Sequence, residues 1–171
     1  MKYSLWLLFL LPLLAVECEE NNPIAPIDQL PPETRTGEYT FGCLVNGEAF
    51  VPESTNQITA IYLDKILQIG GGAFINPGEQ DIQLFIYSSI QEGVEYSLTD
   101  SLVSGSRLVV RGTDISTCRY EPENTLSGTL TITHFDSINY IVSGTFEFTT
   151  ATKDCDTIRV TDGRFDIPYI P

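Results

Sequence analysis

Few side chains in this chain could carry acid–base or metal chemistry. His134 is its one histidine, so a zinc site built on histidines is excluded and a Ser-His-Asp triad would have to use this residue. It stands just before a turn signal at Asp136, where a hydrogen bond at the rim of a sheet, opposite Tyr140, is the ordinary role. No spacing pairs a nucleophile with a base. We therefore expect no enzyme and assign no catalytic residue; a hydrolase is kept only as a minor hypothesis.

Carboxylates are the other candidate ligands. Asp154, Asp156 and Asp162 could supply oxygen atoms to calcium, but their spacing matches no EF-hand loop, and aspartate in loops and Asp-Gly turns has an ordinary backbone role. Gly70-Gly71-Gly72 lacks the lysine and the following helix of a phosphate loop, and it predicts a bend or bulge in a sheet. We expect no metal and no cofactor.

The charge of the chain limits its partners. The chain has 9 Lys and Arg against 23 Asp and Glu, a formal net charge of −14. Nucleic acids and anionic head groups are bound mainly through Lys and Arg that release counterions. We therefore expect no nucleic-acid partner and no membrane contact except through a lipid anchor. A protein, a glycan or a small molecule stays open as the partner.

The first residues predict export. An apolar run from Ser4 to Val16 is too short to span a hydrocarbon core of roughly 30 Å as a helix, and it is typical of a secretory signal peptide, residues 1–17. Cys18 follows as the candidate lipid-attachment residue, although Glu17 departs from the small residue usual there. The acidic, proline-rich residues 18–39 predict a disordered spacer of roughly 60 Å that packs against nothing.

Residues 40–171 have the pattern of an all-β domain. They are rich in Thr, Val, Ile, Phe and Tyr, turn signals recur about every ten residues, and no stretch sustains a helical period. Asn46-Gly47 predicts a type I′ hairpin, and Asp64-Lys65 predicts a second turn. We predict a single antiparallel β-sandwich or barrel-like domain of about 9–11 strands.

The segment from Thr125 to Thr150 predicts a hairpin with its turn at residues 136–138. A register that places Gly128 opposite Phe146 collects apolar residues on one face and polar residues on the other, whereas a shift by one would mix them. The predicted inward residues are Leu126, Leu130, Ile132, Tyr140, Val142, Phe146 and Phe148; the predicted outward residues are Thr129, Thr131, Thr133, Ser143, Thr145 and Glu147.

The same hairpin predicts a disulfide between two of the chain's 4 cysteines. Cys118 precedes its first strand and Cys155 follows its second, so both fall at its open end. A bridge there would close a loop of roughly forty residues and stabilise the fold by about 4 kcal/mol. Cys43, which alternates inward with Phe41 and Val45, is then a free, buried thiol.

Asp162-Gly163 near the C-terminus allows two structures. A tight hairpin would pair Val160 with Phe165. One long strand with a bulge at the glycine would keep the same residues inward. The sequence does not separate these alternatives.

Three phrases of the chain resemble a family of small lipoproteins of the Bacteroidota whose function is unknown. The phrases are Leu30-Pro31-Pro32-Glu33-Thr34 running into Thr40-Phe41-Gly42-Cys43-Leu44-Val45-Asn46-Gly47, then Ser143-Gly144-Thr145-Phe146-Glu147-Phe148, then Thr161-Asp162-Gly163-Arg164-Phe165-Asp166. The resemblance implies an all-β lipoprotein at the outer membrane or cell surface, with a periplasmic or secreted protein as the alternative. It carries over no catalytic residue.

Ser101, Ser137 and Thr157 each lie in an Asp-Ser/Thr-apolar triplet that looks like the acceptor used by the Bacteroidota for O-glycosylation of exported proteins. They are possible O-glycosylation sites.

Two functions remain after these exclusions. We expect a cell-envelope lipoprotein that is a non-enzymatic binding or structural module. The alternative is a calycin-like barrel that carries a small apolar ligand inside. A packed two-layer core would favour the first, and an open interior cavity lined by aromatic residues would favour the second.

Overall fold

A computed structural model describes residues 23–75, 78–100, 102–112 and 117–171. The predicted signal peptide, the lipid-attachment residue Cys18 and the acceptor Ser101 lie outside these residues. No helix within the described ranges is long and apolar enough to cross a membrane. Short 3-10 helices occur at Pro26–Gln29, Thr55–Gln57 and Pro122–Asn124.

Among the described residues, eleven strands form two antiparallel sheets. Sheet A has six strands in the order β2-β1-β11-β10-β9-β6. Its strands are β1 (Thr40–Val45), β2 (Glu48–Phe50), β6 (Glu95–Ser97), β9 (Thr125–Asp136), β10 (Ile141–Thr150) and β11 (Ile158–Pro168).

Sheet B has five strands in the order β3-β4-β5-β7-β8. Its strands are β3 (Ile58–Leu63), β4 (Ile66–Ile75), β5 (Gly78–Ile86), β7 (Ser104–Gly112) and β8 (Thr117–Tyr120). Asn46-Gly47 and Asp64-Lys65 form the two turns predicted for them, with positive φ at all four residues.

The predicted all-β domain is confirmed as a sandwich, and the barrel-like alternative is wrong. The described strands do not close on themselves, because each sheet keeps two edge strands. The backbone crosses between the sheets near the C-terminus. Ile170 pairs in parallel with β3 by donating to the carbonyl of Ala60 at 2.9 Å, while its own carbonyl accepts from the N–H of Tyr62 at 2.8 Å.

The space between the sheets is filled by apolar side chains. Phe41 of sheet A lies against Gly71 of sheet B, where an added Cβ would come within 2.5 Å of the ring. The predicted bend at Gly70-Gly71-Gly72 is therefore wrong: β4 runs through it with regular pairing to β3 and β5, and the glycine makes room for a ring. Other fully buried side chains of this core include Phe50, Leu67, Ile69, Ile82, Leu84, Leu108, Leu130 and Ile132.

The hairpin of β9 and β10 has the predicted faces over most of its length, in a register shifted by two residues in its middle and by three beside the turn. Phe146 lies opposite Leu130, and Phe148 lies opposite Gly128. A shift of two preserves the faces, so most of the predicted inward residues are buried. Leu126 and Tyr140 are exceptions and are exposed; Leu126 is skipped by an irregularity in the pairing, which turns it outward.

Strand β11 is continuous and bulged, which decides between the two alternatives at Asp162-Gly163. The pairing with β10 skips Thr161 and Asp162 between Val160 and Gly163, and Asp162 has a φ of 55°. Phe165 and Ile167 continue the strand beyond the bulge and are buried.

The predicted disordered spacer is wrong for its described part, because Pro26–Gln29 form a 3-10 helix and residues 30–38 pack on the outer face of sheet A. Leu30 is buried. The ring of Pro31 lies so close to Gly42 that a Cβ there would come within 2.6 Å of it. We call residues 30–38 the strap.

The predicted disulfide between Cys118 and Cys155 is confirmed, with a Cα–Cα distance of 6.1 Å. It links β8 of sheet B to the loop after β10 of sheet A. The hydroxyl of Tyr120 donates to the carbonyl of Asp156 at 2.7 Å beside it. The bridge therefore ties the two layers together. Cys43 is the free, buried cysteine, and burial raises the pKa of its thiol.

Replacing Cys118 and Cys155 together by serine should lower the free energy of unfolding by about 2–5 kcal/mol, because the crosslink no longer restricts the unfolded chain. Urea unfolding with and without a reductant measures this. The reductant should weaken the wild type to the level of the variant and leave the variant unchanged. Cys43→Ala, the matched control, should keep the wild type's response to the reductant. Recovery of a Cys43 bridge by peptide mapping would contradict the pairing.

Candidate functional site

A buried carboxylate lies on the outer face of sheet A. Asp166 is in β11, directly opposite Ser143 of β10, and only 1% of its surface is exposed. Alternation along β11 points it away from the core, so its burial comes from the strap that covers it. The hydroxyl of Ser143 donates to Asp166 Oδ1 at 2.7 Å.

The strap supplies the other hydrogen bonds to Asp166. The Thr34 hydroxyl donates to Oδ2 at 2.7 Å. The backbone N–H groups of Thr36, Gly37 and Glu38 donate to the carboxylate at 2.9, 2.9 and 3.2 Å. Gly37 has a φ of +79°, which lets successive N–H groups converge on one anion. The strap is thus wound around a single side chain.

These bonds determine the charge of Asp166. Burial by itself would raise the pKa of this carboxyl. The hydrogen bonds from Thr34, Ser143, Gly37 and Thr36 outweigh burial and hold the pKa below its ordinary value. The group is therefore ionised at neutral pH, and the strap is held by charge-assisted hydrogen bonds.

Next to the strap, the outer face of sheet A forms a groove made of two adjoining depressions of about 290 and 370 Å³. The strap contributes one wall through Glu33, and strands β9, β10 and β11 form the floor. We call this the sheet A groove. The first depression includes Glu33, Glu95, Thr131, Thr145, Asp162 and Arg164, the second includes Ser127, Thr149, Arg159 and Thr161, and both include Thr129 and Glu147.

The groove floor is polar because of strand alternation. Leu130, Phe146 and Phe148 point into the core and are buried. Their neighbours along the same strands, among them Thr129, Thr131 and Thr145, point outward. The floor is consequently a set of hydroxyl groups, each of which can donate and accept a hydrogen bond.

Four carboxylates border the groove without a partner of their own. Within the described part of the chain, the side chains of Glu33, Glu95, Glu147 and Asp162 make no ion pair and no hydrogen bond. Arg164 stands among them but donates to backbone carbonyls, to Asp162 at 3.2 Å and to Pro31 at 3.5 Å. Arg159 also lines the groove, so four carboxylates stand against two guanidinium groups and the groove is negative on balance.

The one histidine has the rim position predicted for it, with a different neighbour. His134 lies opposite Ser143, and the predicted pairing with Tyr140 is wrong, because the register of the hairpin is shifted. Its Nδ1 is 3.1 Å from Glu92 Oε1. The same oxygen accepts the N–H of Phe135 at 2.5 Å. No nucleophile joins them among the described contacts.

The aspartates considered for calcium are not brought together. No group of three or more His, Cys, Asp or Glu side chains that could hold a metal ion occurs among the described residues. The possible O-glycosylation acceptors Ser137 and Thr157 are both exposed in loops. Asp136, beside Ser137, caps the turn by accepting the N–H of Ile138 at 2.8 Å, which leaves the serine on the outside.

Comparisons with models of known protein families, with curated proteins and with solved structures found no match.

Neither the carboxylate of Asp166 nor the groove was predicted from the sequence. Three of the donors to Asp166 are backbone N–H groups, which every segment possesses and no sequence pattern marks. One signal was present: Thr34, Ser143 and Asp166 lie in three phrases that the sequence singled out, and the fold brings these phrases to one point.

Asp166→Asn should lower the free energy of unfolding at pH 7 by about 2–4 kcal/mol, because an amide cannot accept all of these donors. The pKa of Asp166 is lowered by folding, so its stabilisation is complete above the unfolded pKa and is lost as the pH falls below about 4. Urea unfolding between pH 7 and pH 2 should therefore show the difference between wild type and variant shrinking with acid.

The exposed Asp162, on the same strand, provides the control. Asp162→Asn should change stability little, since asparagine also tolerates positive φ. Amide exchange is the second measurement: the N–H groups of Thr36, Gly37 and Glu38 should be protected in the wild type and exchange rapidly in Asp166→Asn. Rapid exchange of these amides in the wild type would show that the strap is not docked.

Proposed function

We propose that this protein is an exported cell-envelope lipoprotein, anchored through Cys18, whose domain is a non-enzymatic binding module that uses the sheet A groove. The resemblance to small lipoproteins of the Bacteroidota and the apolar run before Cys18 support the anchor. The groove supports the binding role, because its partnerless carboxylates and open hydroxyl groups are available to a ligand.

Side chains fill the core, and for this reason we place the binding site on the outside of the fold. Fully buried side chains from both sheets, such as Phe41, Ile69 and Leu130, occupy the interior. Three depressions over the described residues lie on outer sheet faces. A barrel that holds an apolar ligand inside is not the form these strands take, so the calycin-like alternative is not proposed.

The docked strap changes the expected distance from the anchor. With residues 30–38 held on the sheet, the chain from Cys18 to Leu30 spans at most about 40 Å when fully extended, instead of the roughly 60 Å expected for a longer spacer. The binding surface would then work close to the membrane.

The disulfide is consistent with export, since disulfides persist in oxidising compartments outside the cytosol. Ser137 and Thr157 are accessible at the surface, as acceptors of an O-linked glycan must be.

Labelling with a fatty-acid analogue in the native host tests the anchor. The wild type should be labelled and Cys18→Ala should not. Cys43→Ala is the matched control and should be labelled like the wild type, because its thiol is buried. Equal labelling of Cys18→Ala and wild type would remove the anchor from the proposal.

Mass spectrometry of the same purified protein tests modification. A glycan mass should be found, and it should be reduced in Ser137→Ala or Thr157→Ala. A spectrum that shows only the unmodified polypeptide would exclude O-glycosylation in that host.

Recording the mass spectrum under native conditions also tests the binding role, since a co-purifying ligand should appear as an added mass that is lost on unfolding.

A further inference from the structure

The negative charges of the sheet A groove are spread out. Glu95 of β6 lies opposite Thr131 of β9, Thr131 lies opposite Thr145 of β10, and Thr145 lies opposite Arg164 of β11. Adjacent strands are about 4.8 Å apart, so the row from Glu95 to Arg164 spans roughly 14 Å. Glu147 lies in the next row, two residues along β10.

This spacing suits a ligand with several separated positive charges. A single metal ion needs its ligands within about 2.6 Å of one point, and the described residues contain no such group. A ligand with one amino group would meet one carboxylate and leave the others without a partner. An extended chain with Lys or Arg side chains at intervals can reach Glu95 and Glu147 at once.

We propose that the sheet A groove binds a basic polypeptide segment, whose Lys or Arg side chains pair with Glu95, Glu147 and the neighbouring carboxylates. This inference rests on the proposed binding role of the groove. The outward hydroxyls of Thr129, Thr131 and Thr145 supply both donors and acceptors, which matches the alternating N–H and C=O groups of a peptide backbone.

The charge of the whole chain acts in the same direction. A net charge of −14 attracts a cationic partner at long range and accelerates its association at low salt. Among the described contacts, Arg164 donates to backbone carbonyls and makes no ion pair with the bordering carboxylates.

Fluorescence anisotropy with labelled octalysine and the full-length protein tests the proposal. Octalysine should bind, more weakly as salt is added, and octaglutamate should not. The double variant Glu95→Gln/Glu147→Gln should bind octalysine roughly fivefold to thirtyfold more weakly. Both residues point outward from their strands, and an unchanged urea midpoint confirms that the variant is folded.

A second double variant distinguishes binding in the groove from attraction by the overall negative charge of the protein. Glu48→Gln/Glu53→Gln removes the same number of charges at exposed positions away from the groove and should bind octalysine like the wild type. An equal loss in both double variants, or no binding by the wild type, would overturn the proposal. Full displacement of octalysine by spermidine at matched charge would assign the groove to polyamines and overturn it as well.

The two proposals fail in different ways. If octalysine binding does not depend on Glu95 and Glu147 while native mass spectrometry shows another ligand that these variants lose, the groove is a binding site and the basic segment is wrong. If no ligand is found and the variants change nothing, the binding role itself fails.

Discussion

The burial of one ionised carboxylate governs the outer half of this structure. An aspartate side chain that faces away from the core would normally be hydrated, and removing its water is costly unless hydrogen bonds replace it. Here Ser143 of the neighbouring strand and the strap supply them. Because several donors meet at Asp166, the strap has one place where it can dock. Its docking in turn covers Gly42 with Pro31 and gives the sheet A groove a wall.

The sandwich core and the docked strap are stabilised by different kinds of interaction. Between the sheets, close packing of rings and aliphatic side chains dominates, as at Phe41 against Gly71. On the outside, polar contacts and a disulfide fasten segments that have little apolar surface to bury. The strap, the C-terminal pairing of Ile170 and the Cys118–Cys155 bridge each tie a peripheral segment to the layered core.

The strands and their faces could be predicted because a two-residue period shows directly in the sequence. Phe146, Phe148 and Val142 were placed inward on that basis and are buried. The exact pairing could not be predicted, since the turn occupies residues 137–140 instead of 136–138 and faces are insensitive to a shift of two. The carboxylate at Asp166 was hidden for another reason: its partners are distant in sequence and mostly backbone. The groove could not be predicted for the same reason, because one of its walls is the strap.

The position of the strap has a mechanical consequence for a domain held from its N-terminal side. A pull transmitted along residues 23–29 first meets the packing of Leu30 and Pro31 on sheet A and then the hydrogen bonds at Asp166. Those bonds are made to the side chain of Asp166, and none of them belongs to the backbone pairing of β1 with β11. Release of residues 30–38 would then lengthen the connection by about 30 Å. Under tension, the strap can therefore detach and lengthen the connection while the sandwich stays folded.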